Sequence, residues 1–348
     1  MSLNAGVTRE DVEEPPGSAP ASLISPQLHS LLYYASLAPS GHNAQPWTVR
    51  IDNGEICVGT DAARWLPKVD PTNREVMLSV GAFLENLITA APAYGFIADC
   101  RVVGTQLATD VARVALKSTP QREAPLDRLR ARRTVRGGHL SREVSTVDVE
   151  ALCAGDRNHQ LHFFPPGSRQ GQLLAEATLE ANRLQTSRDD AQSELADWMR
   201  WTPEDGRAHR NGFTPEALEI TGLAGWYVRH FMNRKAVVGR GFRKQSLNRV
   251  RQQLSSYGGW MVITSEDEGV HALIDAGRKC EQMWLEARPR SIAVHPMSQA
   301  LEEAPFKDQI TRDLGLRGCA QFILRIGYVA TYPTPVSLRI PVSWFLRG

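Results

Sequence analysis

Residues 74–94 read REVMLSVGAFLENLITAAPAY, a stretch that is apolar on most sides when wound as a helix. Such a helix has no face to offer water, so the rest of the fold must wrap around it. No apolar run approaches the roughly 18 residues of a membrane span, so the expectation is a core helix and no membrane partner. Sliding this stretch onto residues 270–287 places Gly81 on Gly277, Glu85 on Glu281 and Ala91 on Ala287, with Leu78 on Ile274 and Leu87 on Met283. Each stretch follows a strand carrying Trp-x-Val, at Trp47 and at Trp260. Buried helices also match by chance, so the echo alone fits either a duplication or a coincidence.

The elements around the two helices have local signals of their own. Ser25 before Pro26 is a helix start, and Leu28, Leu31, Leu32 and Ala35 form one apolar face. Asn53-Gly54 predicts a two-residue hairpin turn that sets Ile51 opposite Ile56 and Val49 opposite Val58. CRVVG (100–104), LHFF (161–164), WMVITS (260–265) and AQFILRIGY (320–328) read as strands, and 105–130 as a polar connector. Ser145 with Asp148 predicts a capped helix to about residue 154, and a long helix is expected over 168–200. Residues 201–257, rich in Arg, Gly and Asn, read as an insertion or lid, and TPVSLRIPVSWFLRG as an extended tail. Residues 1–24, rich in Pro, Gly, Ser and acids, read as a loose arm.

Composition narrows the function. A net charge of +2 on 348 residues argues against an obligate nucleic-acid or membrane-surface partner. Five scattered cysteines make no C-x-x-C pair, which fits a reducing cytosol and signals no metal or redox motif. AVVGRGF contains G-x-G, but Lys244 stands where a third glycine belongs, so a dinucleotide fold is rejected. The basic cluster from Arg229 to Arg251 admits a nucleic-acid patch or a solvated lid surface, and no nucleic-acid motif accompanies it.

Three segments carry chemistry. Pro39-Ser40-Gly41-His42-Asn43 is a turn with donors and acceptors suited to the edge of a flat heterocycle, or to bracing the turn itself. Arg132, Arg133, Thr134 and Arg136 offer a phosphate clamp, or a solvated basic turn. Arg339 is an isolated cation in an apolar tail.

APSGHNAQPW resembles the P-S-S/G-x-N-x-Q-P-W signature of the FMN-binding nitroreductase superfamily, and RRTVR resembles that family's arginine segment. RIGY followed by SLRIP is similar to its last core strand and arginine-bearing tail. The arginine segment follows the turn here, an order that matches the single-chain, internally duplicated Acg-type subgroup along residues 25–348. The resemblance implies an α+β nitroreductase-like fold with two similar halves, 25–130 and 131–348, forming a pseudo-dimer in one chain with 201–257 as a lid. It implies one FMN per chain, with Arg132 and Thr134 at the phosphate and Arg339 assisting. Arg133 belongs to the same segment, and Arg136 would lie near the N1/O2 edge. Pro39, Ser40, Gly41, His42 and Asn43 would face the ring or ribityl chain, and Met297 and Ser298 the N5 side. A second site would need arginines within SAPASLI and amides within SSYGG, and neither stretch has them. The implied activity is a cytoplasmic oxidoreductase passing hydride from NAD(P)H through the flavin to a nitroaromatic or quinone. The implied partner is thus a small-molecule electron acceptor, and the implied state a monomer. The alternative is a flavin-sequestering or sensing protein whose lid blocks turnover.

Overall fold

The computed structural model describes residues 6–17, 24–104 and 110–348. Helix α1 (Pro26–Ser36) starts as its signals require: the Leu28 amide donates to Ser25 Oγ at 3.2 Å, and Pro26 fills the first turn. The hairpin keeps its expected register. Strand β1 (Trp47–Asp52) pairs with β2 (Glu55–Thr60), Val49 opposite Val58 and Ile51 opposite Ile56. Asn53 and Gly54 have φ of 50° and 80°, the left-handed pair that this turn type requires.

Helix α2 (Arg74–Ala90), prolonged by a 3-10 turn to Tyr94, is the axis of the first half. By length and composition Arg74–Tyr94 could cross a membrane, which corrects the reading that no stretch comes near one; 78% of its apolar window is buried inside the protein. Beyond it come β3 (Phe96–Val102), β4 (Ala112–Ser118) and α3 (Leu126–Ala131). The supposed polar connector therefore supplies a strand. Its polar look comes from Arg113 and Lys117, which pair with Asp52, Asp110 and Asp99 rather than enter the core.

The second half opens with α4 (Thr146–Cys153), whose Asp148 amide donates to Ser145 Oγ as its capping pattern predicts, and β5 (Leu161–Phe164). One long helix was expected next; α5 (Arg169–Ser187) and α6 (Asp189–Asp197) are instead separated at Arg188, whose backbone is extended. Its guanidinium reaches Glu303 and the Lys68 carbonyl, tying the break to both halves. Residues 201–257 hold α7 (Pro203–His209), α8 (Gly222–Phe231), α9 (Arg234–Val238) and α10 (Arg240–Leu254). Then come β6 (Gly259–Ser265), α11 (Val270–Ala287), β7 (Ile292–Pro296), α12 (Phe306–Asp313) and β8 (Cys319–Tyr328). The tail ends in α13 (Val342–Phe345) and β9 (Leu346–Arg347).

These strands form two sheets, β3-β4-β2-β1-β9 and β5-β6-β8-β7. The tail, expected only to be extended, leaves the second half and adds β9 in parallel to β1, Leu346 beside Val49. The apolar side chains of both sheets meet around α2 and α11 in one continuous core. The two helices cross at the matched glycines. A Cβ on Gly277 would strike the Leu78 carbonyl, and one on Gly81 the Ile274 carbonyl, so neither position has room for a side chain.

The arm also differs from its expectation. Within 6–17, Val7 and Val12 are buried against Leu338, and Arg9 donates to the Arg130 carbonyl and Tyr33. Two valines and a cation amid the acids give that segment an inward face.

Candidate functional site

The turn between α1 and β1 is the most strained backbone in the chain's first half: His42, Asn43 and Gln45 all have φ between 50° and 55°. Non-glycine residues rarely adopt this region, and a cluster of them persists only where surrounding structure holds it. Here the holding groups are visible. Asn43 Nδ2 donates to the Gly212 and Leu338 carbonyls, both at 3.1 Å, and its Oδ1 accepts from Arg339 at 2.9 Å. Gln45 Nε2 donates to the Arg210 carbonyl at 3.0 Å, and its Oε1 accepts from the Ile340 amide at 3.0 Å. The amides are thus committed to segment 201–257 and to the tail. Ser40 Oγ accepts from the Gln45 amide at 2.9 Å. Gly41 sits close against Glu75: a Cβ there would lie 2.7 Å from Glu75 Oε2 and push that carboxyl aside. His42 packs its ring 5.4 Å from Phe213, and burial drives its pKa down to about 4, so the imidazole is neutral.

The arginines converge on the same place from the other half. Arg132 donates to the Leu37 carbonyl at 2.7 Å, and Arg339 to those of Leu37 and Ala38 at 2.9 and 3.2 Å. Both therefore cap the C-terminal end of α1, where carbonyls lack helical partners and the dipole favours cations. Arg132 also pairs with the fully buried Glu281 at 3.1 Å and lies over the Trp284 ring. Arg133 and Arg136 are held by segment 201–257. Glu219 lies 3.5 Å from Arg133 and accepts from the Arg136 amide at 2.8 Å, while Arg136 NH1 donates to the Ala217 carbonyl. Burial pulls Arg136 down to about 10 and Arg339 well below its ordinary value, and neighbouring guanidiniums push the same way.

One cavity of about 360 Å³ joins these groups. Its wall includes Pro39, Ser40, Gly41, His42, Asn43, Arg132, Arg133, Thr134, Arg136, Ser298 and Arg339, so eleven of the twelve residues singled out from the sequence meet there. Met297 is the exception. Its side chain, just beyond the end of β7, is 2% exposed and packs in a core cluster with Trp260 and Leu174. Ser298 reaches the wall, but its hydroxyl bridges the amide and carbonyl of Ile323.

The sequence reading missed the rest of the wall. Arg9 adds a fifth guanidinium, and Phe213, Ala217 and Leu218 come from segment 201–257. Elsewhere the wall is lined by neutral amides and carboxyls: Asn182, Gln185, Gln192, Gln299, Glu75 and Glu302. Burial raises Glu75 to about 8 and raises Glu302. His295 also lines the cavity; burial and the charges of Arg325 and Arg136 hold its pKa far below normal. No short motif marks these residues, since α5, α6 and the turn after β7 meet only in the fold.

No protein-family model matches the chain. Curated relatives do. "Probable NAD(P)H nitroreductase PigM" of Serratia sp. (strain ATCC 39006) is 25% identical over 329 residues, covering 88% of this chain and 90% of the relative. The Mycobacterium tuberculosis protein acg, whose name likewise assigns it provisionally to the NAD(P)H nitroreductases, is 23% identical over 336 residues, covering 91% of this chain and 94% of the relative. Among solved structures, the FMN-dependent nitroreductase NfnB of Mycobacterium smegmatis, in complex with NADPH, superposes with a TM-score of 0.39 at 16% identity. It covers 64% of this chain and 96% of that one.

Proposed function

We propose that this chain is an FMN-dependent NAD(P)H oxidoreductase of the nitroreductase type, built from two similar halves, with one flavin per chain and a small-molecule acceptor. The observation that carries the reading is the cavity itself. It brings the strained Ser40–Asn43 turn of one half against the arginines and tail of the other. The similarity to NAD(P)H nitroreductases along about nine-tenths of both chains supports the activity.

The donor set fits FMN. Five guanidiniums reach one cavity, and burial disfavours the charge of Arg133, Arg136 and Arg339. A phosphate dianion would restore it, and the forked geometry of arginine suits phosphate oxygens. Arg339 Nε has no partner among the described residues and remains a donor. Arg133, Thr134 and Arg339 would hold the phosphate, Arg136 would place positive charge by the ring, and His42 and Ser40 would bound its other side. When bound, FMN supplies reversible hydride transfer between NAD(P)H and the acceptor. The protein's part is positioning, electrostatics and exclusion of water. Arg132, occupied by Glu281 and Leu37, sets the frame for these groups more than it offers a free donor.

Glu219, carried by segment 201–257, puts a carboxylate on Arg133 and the Arg136 amide, where an anionic group of a ligand would compete for the same donors. The alternative is a flavin-sequestering protein whose lid blocks turnover. Flavin titration separates the readings. Arg133→Met is expected to weaken FMN binding at least ~10-fold and Glu219→Gln to tighten it. Bleaching of the bound flavin by NADPH supports the enzyme. A flavin reduced by dithionite alone supports sequestration, and two flavins per chain contradict the single site.

A further inference from the structure

The flavin reading leaves part of the cavity wall without a task. There Glu75, from the first turn of α2, and Glu302, after the turn that follows β7, both line the wall as neighbours that shift one another's ionisation. Two buried carboxyls side by side cannot both carry charge cheaply, so one keeps its proton. Among the described residues, Arg74 lies 3.5 Å from Glu75, Asp70 (itself raised to about 7 by burial) accepts the Glu75 and Val76 amides, and the neutral Gln185 donates to Glu302 at 2.6 Å. Burial is the largest influence on both carboxyls, and Arg74 offsets it only in part. Both face the cavity.

Gln192 is a second and separate observation. It is 3% exposed, lines the same cavity, and its Oε1 has no partner among the described residues. A buried amide oxygen without a donor is destabilising, and a ligand O–H or N–H would satisfy it. An oxidised quinone or nitro group carries oxygen acceptors and wants a donor, which the carboxyl pair has. Its reduced product carries O–H groups and wants an acceptor, which Gln192 Oε1 provides.

We propose that Glu75, Glu302 and Gln192 form the subsite of the oxidised acceptor, and that the proton shared by the two carboxyls is the one delivered to the acceptor oxygen. The inference rests on the oxidoreductase reading above. A hydride equivalent from NAD(P)H adds to the acceptor and leaves an oxyanion. The carboxyl O–H then breaks as the acceptor O–H forms, which gives hydroquinone from quinone and leaves two carboxylates. Their mutual repulsion draws a proton from solvent and restores the pair.

Infrared spectra of the FMN-free protein, titrated across neutral to alkaline pH, read the pair directly. A protonated-carboxyl component should vanish with a midpoint near 8, above those of Asp70 and Glu281, each raised to about 7, and that midpoint should move in Glu302→Gln. With FMN-loaded protein and saturating NADPH, kcat for benzoquinone should fall above the same midpoint. In Glu302→Gln it should drop on the order of 100-fold, with the pH break moved. Gln192→Leu should raise KM for benzoquinone ~10-fold, with a far smaller change in kcat. A wild-type protein without the titrating band overturns the proposal, as does Glu302→Gln with an unaltered pH profile. An unchanged KM in Gln192→Leu removes Gln192 from the subsite. Failure to bind FMN overturns the underlying reading and the proposal with it, whereas a working flavoprotein indifferent to Glu302 overturns the proposal alone.

Discussion

The turn before Trp47 and the turn before Trp260 lead into similar strands and serve opposite ends. The first holds three left-handed residues, commits two buried amides to distant backbone and lines the cavity. The second, Ser255 to Gly258, is not among the residues lining the cavity: Ser255 bonds the Gln252 carbonyl, Ser256 the His139 carbonyl, and Tyr257 packs 5.4 Å from Trp260. The matched glutamates diverge in the same way. Glu281 is fully buried beside Arg132, whereas Glu85 meets Arg278, a third exposed, and Gln282. The two helices share a glycine crossing while the polar groups beside it differ, because packing needs only shape there and a site needs particular donors.

That contrast can be tested in order of expected effect. Arg132→Met strands a buried carboxylate and should cost about 3–5 kcal/mol, while Arg278→Met should cost under ~1 kcal/mol. Denaturant unfolding of the two variants measures this, and equal losses would erase the difference between the halves. Where the halves agree, the variants should agree. Gly81→Ala and Gly277→Ala each push a methyl into a facing carbonyl, and each should cost about 1–3 kcal/mol. A large loss at only one glycine would show that the crossing is not shared equally.

The smallest effect is a pH slope. Burial raises Glu281 to about 7, above its unfolded value. The folded state therefore binds more protons in that window, and stability falls as pH rises from about 5 through 7. Glu281→Gln should flatten that fall, as read from unfolding midpoints across the range.

Much of this was legible in the sequence where local physics decides. Ser25-Pro26, Asn53-Gly54 and Ser145 with Asp148 each fixed an element whose bonds lie within a few residues. The matched glycines, read only as an echo that fits duplication or coincidence, meet where α2 and α11 cross. The misses share another cause. Strand β4 hid behind surface charges, the helix break at Arg188 answers to Glu303 and Lys68, and β9 pairs with a strand far back in the chain. At the site, the residue types of the turn and arginine segment were readable but not their partners. The turn's amides read as facing a heterocycle or bracing the turn, and Asn43 and Gln45 instead bind segment 201–257 and the tail. Met297 was placed by motif position, and its side chain packs in a core cluster instead.

The pairing of β9 with β1 also sets a schedule. Phe345, wholly buried and edge-on to Phe83, seals the first sheet from a segment nearly 300 residues downstream of β1. At ribosomal speeds of about 5–20 residues per second, the first half waits roughly 15–60 s with that edge and socket open. The early half must therefore leave the ribosome as an unsealed intermediate, and its exposed β1 edge is where a chaperone or a neighbouring nascent chain would first take hold.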